Sequence, residues 1–381
     1  MKQEAILQYV QQLPIEEAGV VIVDLDQLAE NFHNYRDFLH PSICAMVIKS
    51  DAYGMGMLPV ARTLHDAGCN DFFVASLKEA IQLRAALSDV HIYVIAGFYK
   101  GTECAFYEHK LIPCLNSIEQ VERWIAFQDS VSDALPGVLH FDTGMNRTGI
   151  PEHEIEWLIE NAALLRQQPL KYLMSHLSCG EFSGHSENAR QYASLQRLSS
   201  VFPHIPQTLA ATTIVNLDMR YKLHMTRIGY GVFGYKPTQQ PLVKPALHIY
   251  GRVIQVKDVP GGAPVGYGAE YKTEKATRLA TVNVGYGDGY ERYFNLHGGH
   301  VAFNGEKAPI VGRISMDFIV VDIGHLNHLN IHENSWAELA GPHISISELI
   351  PTKGFVPHDI PISLGRRLKR AYIKNKNIWH D

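Results

Sequence analysis

The stretch ICAMVIKSDAYGMGMLPVARTLHDAGCNDFFVASLKEAIQLRAALSDVHIYVIAG, residues 43–97, sets the organisation of the first half of the chain. Short apolar runs (ICAMVIK, DFFVAS, HIYVIAG) alternate in it with longer stretches (LPVARTLHDAG, LKEAIQLRAAL) whose apolar residues recur every three or four positions. Continuous apolar runs are typical of buried parallel strands, and the second spacing is typical of amphipathic helices. The stretch therefore predicts repeated βα units.

The same alternation continues outward to about residue 230. The further strand candidates, which bring the total to eight, are LIPCLN, GVLHFD, KYLMSHL, QTLAAT and HMTRIGYG. Eight strands alternating with helices predict an α/β fold with a closed (β/α)8 TIM-type barrel. An open doubly wound sheet is the alternative.

The pattern changes in KPTQQPLVKP, residues 236–245, whose prolines interrupt any helix and indicate a linker. Beyond it, HIYGRVIQV, TRLATVNVG, GHVAFNG and FIVVDIG predict a mostly β domain. The strand VIVDLD, near residues 20–25, precedes the first barrel strand, and we expect it to join the β domain. We therefore predict a barrel domain over residues 14–243, a C-terminal β domain over 244–381, and an N-terminal extension over 1–13.

Composition narrows the class of protein. The 381 residues are 46% hydrophobic and 19% charged, with a net charge of −5, which is typical of a globular protein of two domains. This balance argues against a partner that is a nucleic acid or an anionic membrane. Five scattered cysteines without a CxxC pair favour a reducing compartment. No apolar run approaches the roughly 20 residues of a membrane span, so we expect a cytoplasmic protein.

Lys49 ends the first strand candidate, at the end of the barrel where such enzymes carry their active sites. The apolar residues before it should desolvate its amine and lower its pKa, as a lysine that attacks a carbonyl requires. A lysine at a strand end also commonly extends into solvent, and its position alone favours that interpretation. The residues around it decide between the two.

The segment VIKSDAYGMG, residues 47–56, resembles the cofactor-lysine motif of the alanine racemase family. Five further segments match that family in order: HFDTGMNRTG (140–149), HMTRIGYGVFGY (224–235), VGYGAEY (265–271), VGYGDGYER (284–292) and VGRISMD (311–317). The resemblance runs from about Val20 to the C-terminus. It implies racemisation of alanine with pyridoxal 5′-phosphate (PLP) as cofactor, by a homodimer with shared active sites.

By that resemblance, Lys49 would bind PLP covalently, and Tyr267 of the partner subunit would act as a base on the opposite face. Racemisation requires the α-proton to leave one face and return to the other, so two bases must flank the reacting carbon. Arg227 and His176 would lower the pKa of the tyrosine, because nearby cations favour a phenolate. Arg227 would also face the pyridine nitrogen of the cofactor and keep it unprotonated.

The resemblance also assigns residues that hold the ligands. The phosphate would contact Tyr53, Thr212 and the backbone around Gly229 and Tyr230. Arg147 would bind the substrate carboxylate, because a guanidinium can hold it through two N–H groups, together with the Met316 amide of the partner chain. The residues that match the substrate channel are Tyr286, Arg292, Arg313 and Glu181.

The chain departs from the family at positions that bear on substrate choice. His140 stands where the family often has a lysine, sometimes carbamylated, so we expect His140 itself or a bound anion to orient Arg147. His358 stands where the family has a tyrosine that contacts the phosphate and narrows the pocket, which predicts more polar space beside the substrate. Ala211 and Thr212 replace an asparagine and a serine, and the threonine keeps the hydroxyl. A serine, lysine or broad-specificity racemase therefore remains an alternative to an alanine racemase.

Three other classes fit less well. GYGVFG, residues 229–234, satisfies the GxGxxG pattern of dinucleotide-binding proteins, but Pro237 and Pro241 follow and no acid stands about 20 residues on. A PLP-dependent decarboxylase would carry a glutamate in place of Arg227 and a cysteine after Cys179. A PLP-carrier protein would lack the second domain. No clustered metal site is expected from the 20 histidines.

Overall fold

Helices and strands alternate in the first part of the chain and give way to strands in the second. The computed structural model describes residues 2–235, 238–239, 241–295, 298–349 and 358–380. The α-helices are α1 Lys2–Gln12, α2 Leu25–Leu39, α3 Lys49–Gly54, α4 Met57–Asp66, α5 Leu77–Ala86, α6 Glu103–Glu108, α7 Ile118–Gln128, α8 Ile155–Glu160, α9 Ala162–Leu165, α10 Ser186–Val201 and α11 Asp359–Ser363. Each helix in these ranges is too short or too polar to cross a membrane.

The strands are β1 Gly19–Asp24, β2 Ile43–Val47, β3 Asp71–Val74, β4 His91–Val94, β5 Ile112–Leu115, β6 Gly137–Asp142, β7 Ile150–Pro151, β8 Leu170–Met174, β9 Gln207–Ala211, β10 Met225–Ile228, β11 Thr238–Gln239, β12 Leu242–Val243, β13 Leu247–Val259, β14 Pro264–Val265, β15 Tyr271–Lys272, β16 Thr277–Val282, β17 His300–Phe303, β18 Glu306–Pro309, β19 Ile319–Asp322, β20 Trp336–Ala340, β21 Lys369–Lys374 and β22 Asn377–His380. The 3₁₀ turns are Glu152–Glu154, Thr212–Asn216, Met219–Tyr221, Tyr230–Phe233, Tyr267–Ala269, Tyr286–Asp288, Arg292–Asn295 and Ile346–Leu349.

The barrel unit, residues 32–52 and 60–232, is built on eight parallel strands. They pair in the order β2, β3, β4, β5, β6, β8, β9 and β10. β10 then pairs in parallel with β2, where Arg227 lies opposite Ala45. The ring is therefore closed, which confirms the predicted barrel and excludes the open sheet.

Apolar side chains fill the barrel interior, because alternate residues of a strand point to the same face. The interior cluster consists of Ala45, Val47, Phe73, Tyr93, Ile112, Cys114, Val138, Tyr172, Met174 and Met225. Burying one large side chain of this kind contributes about 1.5–3 kcal/mol relative to leaving it exposed. The phenol of Tyr93 donates to the Asp71 carboxylate at 2.8 Å, at the N-terminal end of the strands. The opposite end of the barrel carries the candidate site.

The β unit comprises the described parts of residues 1–31, 53–59 and 233–381 and is organised around the thirteen-residue strand β13. β13 pairs antiparallel with β1, β16 and β20, and β1 pairs in parallel with β21. β1, which lies where the sequence predicts a strand near residues 20–25, is therefore part of the sheet of the β unit. In the predicted linker, β11 pairs with β12, whereas Pro237 lies outside the described residues.

The N-terminal extension forms α1, whose apolar side packs on the β unit. It shares a buried cluster made of Ile6, Val10, Leu13, Val20, Ile22, Tyr250, Ala371 and Ile373. The guanidinium of Arg252 donates to the backbone carbonyls of Leu13, Pro14 and Glu17 at 2.7–3.1 Å. The extension is thus fixed by both apolar burial and hydrogen bonds to one arginine.

Candidate active site

Lys49 lies just beyond a barrel strand, at the start of α3. β2 ends at Val47, so Lys49 stands two residues beyond the end of the strand. The sequence instead predicted Lys49 as the last residue of this strand. Residues 50–53 all have φ between 53° and 58°, in the left-handed region, where each non-glycine residue costs about 1–2 kcal/mol. Backbone strain of this kind is concentrated at functional sites. The turn is therefore a candidate site on backbone grounds alone.

The carboxylate of Glu79 fixes the backbone next to Lys49. Its Oε1 accepts the Ser50 N–H at 2.7 Å, and its Oε2 accepts the N–H groups of Ala75 and Ser76 at 2.8 and 3.1 Å. Ser76 and Glu79 also form the capping box of α5. Glu79 is not among the predicted residues, although SLKE has the S-x-x-E spacing of this motif.

The amine of Lys49 is half-buried, and its pKa is below the ordinary value for lysine. Burial makes the largest contribution, because it disfavours the ammonium form. The positive charge of Arg147 lowers the pKa further, and Glu79 opposes both effects. A larger fraction of the amine is therefore uncharged near neutral pH, as a nucleophile or base requires.

Polar side chains form one layer at the C-terminal end of the barrel. Each stands two positions after a residue of the interior cluster, and hydrogen-bond contacts join Asn116 to His140 and His176 to Arg227. We call these residues the polar layer: Lys49, Asn116, His140, His176 and Arg227. Because the strands are parallel, these side chains meet at the end where barrel active sites lie.

Arg227 and His176 are in direct contact. Arg227 is 5% exposed, and its Nη2 donates to the carbonyls of Ser175 and Leu209 at 2.7 and 3.1 Å. The same Nη2 lies 3.2 Å from Nδ1 of His176. Burial, and then the charges of Arg227 and Arg147, lower the pKa of His176 well below its ordinary value, so the ring is neutral at pH 7. Burial also lowers the pKa of Arg227, to about 10, so the guanidinium still carries its charge.

His140 is held by Asn116, a residue that the sequence analysis did not single out. Nδ1 of His140 lies 2.6 Å from Oδ1 of Asn116, whose Nδ2 donates to the carbonyl of Ile95 at 3.0 Å. Because that carbonyl can only accept, the amide orientation is fixed and the His140 Nδ1 carries the proton. Burial, and then the charges of Arg227 and Arg147, lower the pKa of His140 to about 3. The ring is therefore neutral, with Nε2 as an acceptor.

Arg147 lies on an exposed loop that curls around the carboxylate of Asp142. Oδ1 of Asp142 accepts the N–H groups of Gly144, Met145 and Asn146 at 2.9–3.0 Å. The charge of Arg147 contributes to the lowered pKa of Lys49, His140 and His176. The loop therefore presents this guanidinium to the polar layer.

Gln191 of α10 joins the start of this loop to the segment that follows β8. Its Nε2 donates to Oγ1 of Thr143 and to the carbonyl of His176, at 3.2 and 2.9 Å. Its Oε1 accepts the N–H of Ser178 at 2.8 Å. No local sequence pattern marked Gln191, because its partners come from distant parts of the chain.

The predicted phosphate residues at the ends of β9 and β10 lie together. Oγ1 of Thr212 accepts the N–H of Gly229 at 2.9 Å, so this amide is already engaged within the protein. Tyr230 follows at once, and burial raises the pKa of its phenol to about 12. Two further predicted residues, Tyr53 and His358, pair within the β unit, where their rings meet edge-on with centroids 5.7 Å apart.

Tyr267 and Met316 lie on neighbouring loops of the β unit. A Cβ at Gly312 would lie 2.6 Å from the carbonyl oxygen of Val265, which shows how closely the loops approach. Tyr267 is 70% exposed and Met316 is 54% exposed. Large apolar groups exposed on neighbouring loops are typical of a surface that binds a partner.

The predicted substrate-channel residues of the β unit engage their own neighbours. The guanidinium of Arg313 forms an ion pair with Glu270, and Arg292 lies 4.4 Å from the ring centroid of Tyr286. Glu181 is exposed in the barrel unit. Arg367, which was not predicted from the sequence, forms ion pairs with Asp288 and Asp317 at 2.7 and 2.8 Å. These contacts fix the position of Asp317, which follows Met316 in the chain.

The chemistry of these groups fits PLP, which carries an aldehyde, a phosphate and a pyridine nitrogen. Lys49 offers an amine of lowered pKa to an aldehyde, and Thr212 offers a hydroxyl to a phosphate. The Nε–H of Arg227 makes no hydrogen bond to any residue that the structure describes. A buried donor is therefore available to a ring nitrogen.

Comparison with known proteins gives a consistent result. Residues 23–237 match the family model described as alanine racemase, N-terminal domain, and residues 246–372 match alanine racemase, C-terminal domain. An alanine racemase of Brucella ovis is 37% identical in an alignment of 372 positions, which covers 93% of this chain and 93% of that protein. A catabolic alanine racemase of Rhizobium johnstonii is 37% identical over 360 residues, 93% of this chain and 94% of that protein. The crystal structure of alanine racemase from Bartonella henselae with covalently bound pyridoxal phosphate is 34% identical, with a TM-score of 0.86, and the match covers 93% of this chain and 99% of that one.

Proposed function

The chain belongs to the alanine racemase family, and from that premise we propose that it interconverts L- and D-alanine with PLP as cofactor. The observation that carries this proposal is the polar layer, in which the half-buried amine of Lys49 shares the barrel end with Arg227 and His176. An amine of lowered pKa beside the buried cation Arg227 and the exposed cation Arg147 suits an aldehyde cofactor and an anionic substrate.

We infer that PLP is held by the residues that the resemblance assigns to it. Lys49 binds its aldehyde carbon, and Arg227 donates to its pyridine nitrogen. The residues that hold the phosphate are Tyr53, Thr212, Tyr230 and His358, and Gly229 joins them when its N–H turns from the Thr212 hydroxyl to the phosphate. When bound, PLP supplies the electron sink that makes the α-proton of the amino acid removable.

Two bases then act on opposite faces of the substrate. The Lys49 amine takes or returns the proton on one face, and the Tyr267 phenol of the partner subunit does so on the other. His176 donates its Nε2–H to the phenolate form of this tyrosine, and the charge of Arg227 behind the ring favours that form. The 70% exposure of Tyr267 within its own chain supports a role in a neighbouring site, and so a homodimer.

Arg147 binds the substrate carboxylate, and the backbone N–H of Met316 from the partner subunit completes this contact. A bidentate guanidinium fixes the orientation of the amino acid, so that its α-proton faces the two bases. The second candidate function is a serine or broad-specificity racemase. It is favoured by His358, which stands beside Tyr53 where the family has a tyrosine.

Proton exchange tests the proposal. The protein loaded with PLP should incorporate deuterium at the α-carbon of both alanine enantiomers in D₂O and convert each into the other. Lys49→Ala should lose racemisation by a factor on the order of 10²–10⁴ or more, whereas Lys78→Ala, an exposed lysine of α5, should keep it. A wild-type protein without exchange, or an active Lys49→Ala variant, would contradict the proposal.

A further inference from the structure

The turn that follows β2 lies beside the N-terminus of α5, because the strands before them are neighbours. β2 and β3 pair in parallel, with Val47 opposite Phe73, and the N–H of Ile48 donates to the carbonyl of Phe73 at 2.9 Å. Two residues after β3, Ser76 is the N-cap of α5. Parallel barrel strands end at the same face, so Lys49 and the start of α5 emerge side by side.

Glu79 connects these two segments through both of its carboxylate oxygens. Its Oε2 accepts the N–H groups of Ala75 and Ser76 at the start of α5, and its Oε1 accepts the Ser50 N–H at 2.7 Å. A hydrogen bond to an ionised carboxylate is stronger than one between neutral groups. The charge of Glu79 also acts on the Lys49 amine, so the carboxylate lies near that amine as well.

The backbone that Glu79 holds is in a conformation that the chain avoids elsewhere. Residues 50–53 all have φ between 53° and 58°, where the Cβ of a non-glycine residue comes too close to the following carbonyl oxygen. Such a conformation persists only where its surroundings determine it. Ser50 is the first residue of this left-handed turn and directly follows Lys49, so a relaxed turn would redirect the lysine side chain.

We propose that Glu79 is a positioning residue for Lys49: its carboxylate holds Ser50 in the left-handed conformation and so keeps the lysine amine where it can bind the aldehyde of PLP. This inference rests on the proposed function of Lys49. A displacement of a reacting group by about 1 Å can lower a rate on the order of a hundredfold. One hydrogen bond beside the lysine can therefore affect both cofactor binding and catalysis.

Glutamine at position 79 separates this role from the capping of α5. Glutamine also completes a capping box, and its amide oxygen stays with the two N–H donors of Ala75 and Ser76. The amide NH₂ then faces the Ser50 N–H, and neither of these groups can accept a hydrogen bond. Glu79→Gln therefore keeps α5 capped and removes the bond to Ser50.

The test measures the dissociation constant of PLP, read from the visible absorbance of the full-length protein. In Glu79→Gln this constant should rise about tenfold, as expected for the loss of one charge-assisted hydrogen bond. Adding Ser50→Gly should bring it back to within about threefold of the wild type, because glycine adopts a left-handed conformation without steric cost. A role of Glu79 in the stability of α5 alone would not be rescued at Ser50.

Two control variants are matched to this change. Ser76→Ala removes the hydroxyl that caps α5, so it should lower the Tm but keep the PLP dissociation constant within about twofold of the wild type. Glu103→Gln changes another glutamate at the start of a barrel helix, which accepts the Gly101 N–H at 2.7 Å. This variant should leave the constant unchanged.

Glu79→Asp keeps the test valid should Glu79→Gln fail to fold. Its shorter side chain cannot span from α5 to Ser50, so the constant should rise and Ser50→Gly should again restore it. An unchanged constant in the variant that folds, or a rise that Ser50→Gly does not reverse, overturns the inference while PLP binding by the wild type stands. A rise of equal size in Ser76→Ala overturns it too, since capping would then be the cause. A wild type that binds no PLP contradicts the proposed function itself.

Discussion

Nη2 of Arg227 lies 3.2 Å from Nδ1 of His176. Because a guanidinium only donates, the ring proton of the neutral histidine must sit on Nε2, so this contact fixes the direction of the hydrogen bond that the ring can offer. From the sequence, only the resemblance to the family links the two residues. Their contact provides the physical reason: a cation behind a neutral ring strengthens that ring as a donor to a phenolate.

Replacing Arg227 with glutamine should increase transamination relative to racemisation. A guanidinium cannot accept a hydrogen bond from a protonated pyridine nitrogen, whereas the amide oxygen of glutamine can. A protonated pyridine ring is the stronger electron sink. Glutamine is a better choice than glutamate, because the carbonyls of Ser175 and Leu209 face this position and would repel a carboxylate. The measurement is pyruvate formed per D-alanine formed. An unchanged ratio would count against contact between Arg227 and the pyridine nitrogen.

His140 should make the protein sensitive to acid. Its pKa is about 3 in the folded protein against an ordinary value of 6.5, so between these pH values the unfolded chain binds more protons and stability falls as the pH falls. Moving from pH 7 to pH 4.5 should cost about 3 kcal/mol of unfolding free energy through this group. Urea unfolding should show that His140→Gln escapes this loss, whereas the exposed His204→Gln does not. Equal losses of unfolding free energy in both variants would contradict the lowered pKa of His140.

Helix α1 should contribute to the free energy of unfolding, because it packs on the β unit. Ile6→Ala removes a buried side chain from the cluster under β1 and should lower the free energy of unfolding by about 2–4 kcal/mol. Gln8→Ala, on the exposed side of the same helix, should stay within about 0.5 kcal/mol of the wild type. Two variants of equal stability would show that α1 does not pack as described.

His358 should broaden the choice of substrate. The ring meets Tyr53 edge-on, and a tyrosine in its place should fill the polar space predicted beside the substrate side chain. His358→Tyr should therefore raise the ratio of kcat/KM for alanine over that for serine several-fold. The same ratio in wild type and variant would remove His358 as a determinant of specificity.

The sequence predicted the barrel well, because its strands are continuous apolar runs between amphipathic helices and each run became a strand. The strand near residues 20–25 and the helix after it were also predicted where they occur, since both patterns are local. The error at Lys49 has a local cause too. The left-handed turn over residues 50–53 contains Ser, Asp, Ala and Tyr, none of which requires that conformation, so the strand was extended by two residues.

The contacts that hold the candidate site were harder to predict. Glu79, Asn116 and Gln191 bind backbone or side-chain atoms 13 to 48 residues away in the chain. Such pairings depend on the closed barrel, which brings neighbouring strand ends together, and no periodicity within one element reveals them. Only the capping box of Glu79 left a local signal.

Subunit complementation tests the shared two-base site most directly. Lys49→Ala and Tyr267→Phe homodimers should each be nearly inactive, because every site lacks one base. In a randomly assorted mixture of the two chains, half of the dimers are mixed and each has one intact site, so about a quarter of wild-type activity should return. Recovery of that size is the expected result. A mixture as inactive as its parents, with mixed dimers demonstrably present, would contradict a lysine from one chain and a tyrosine from its partner acting on the same substrate.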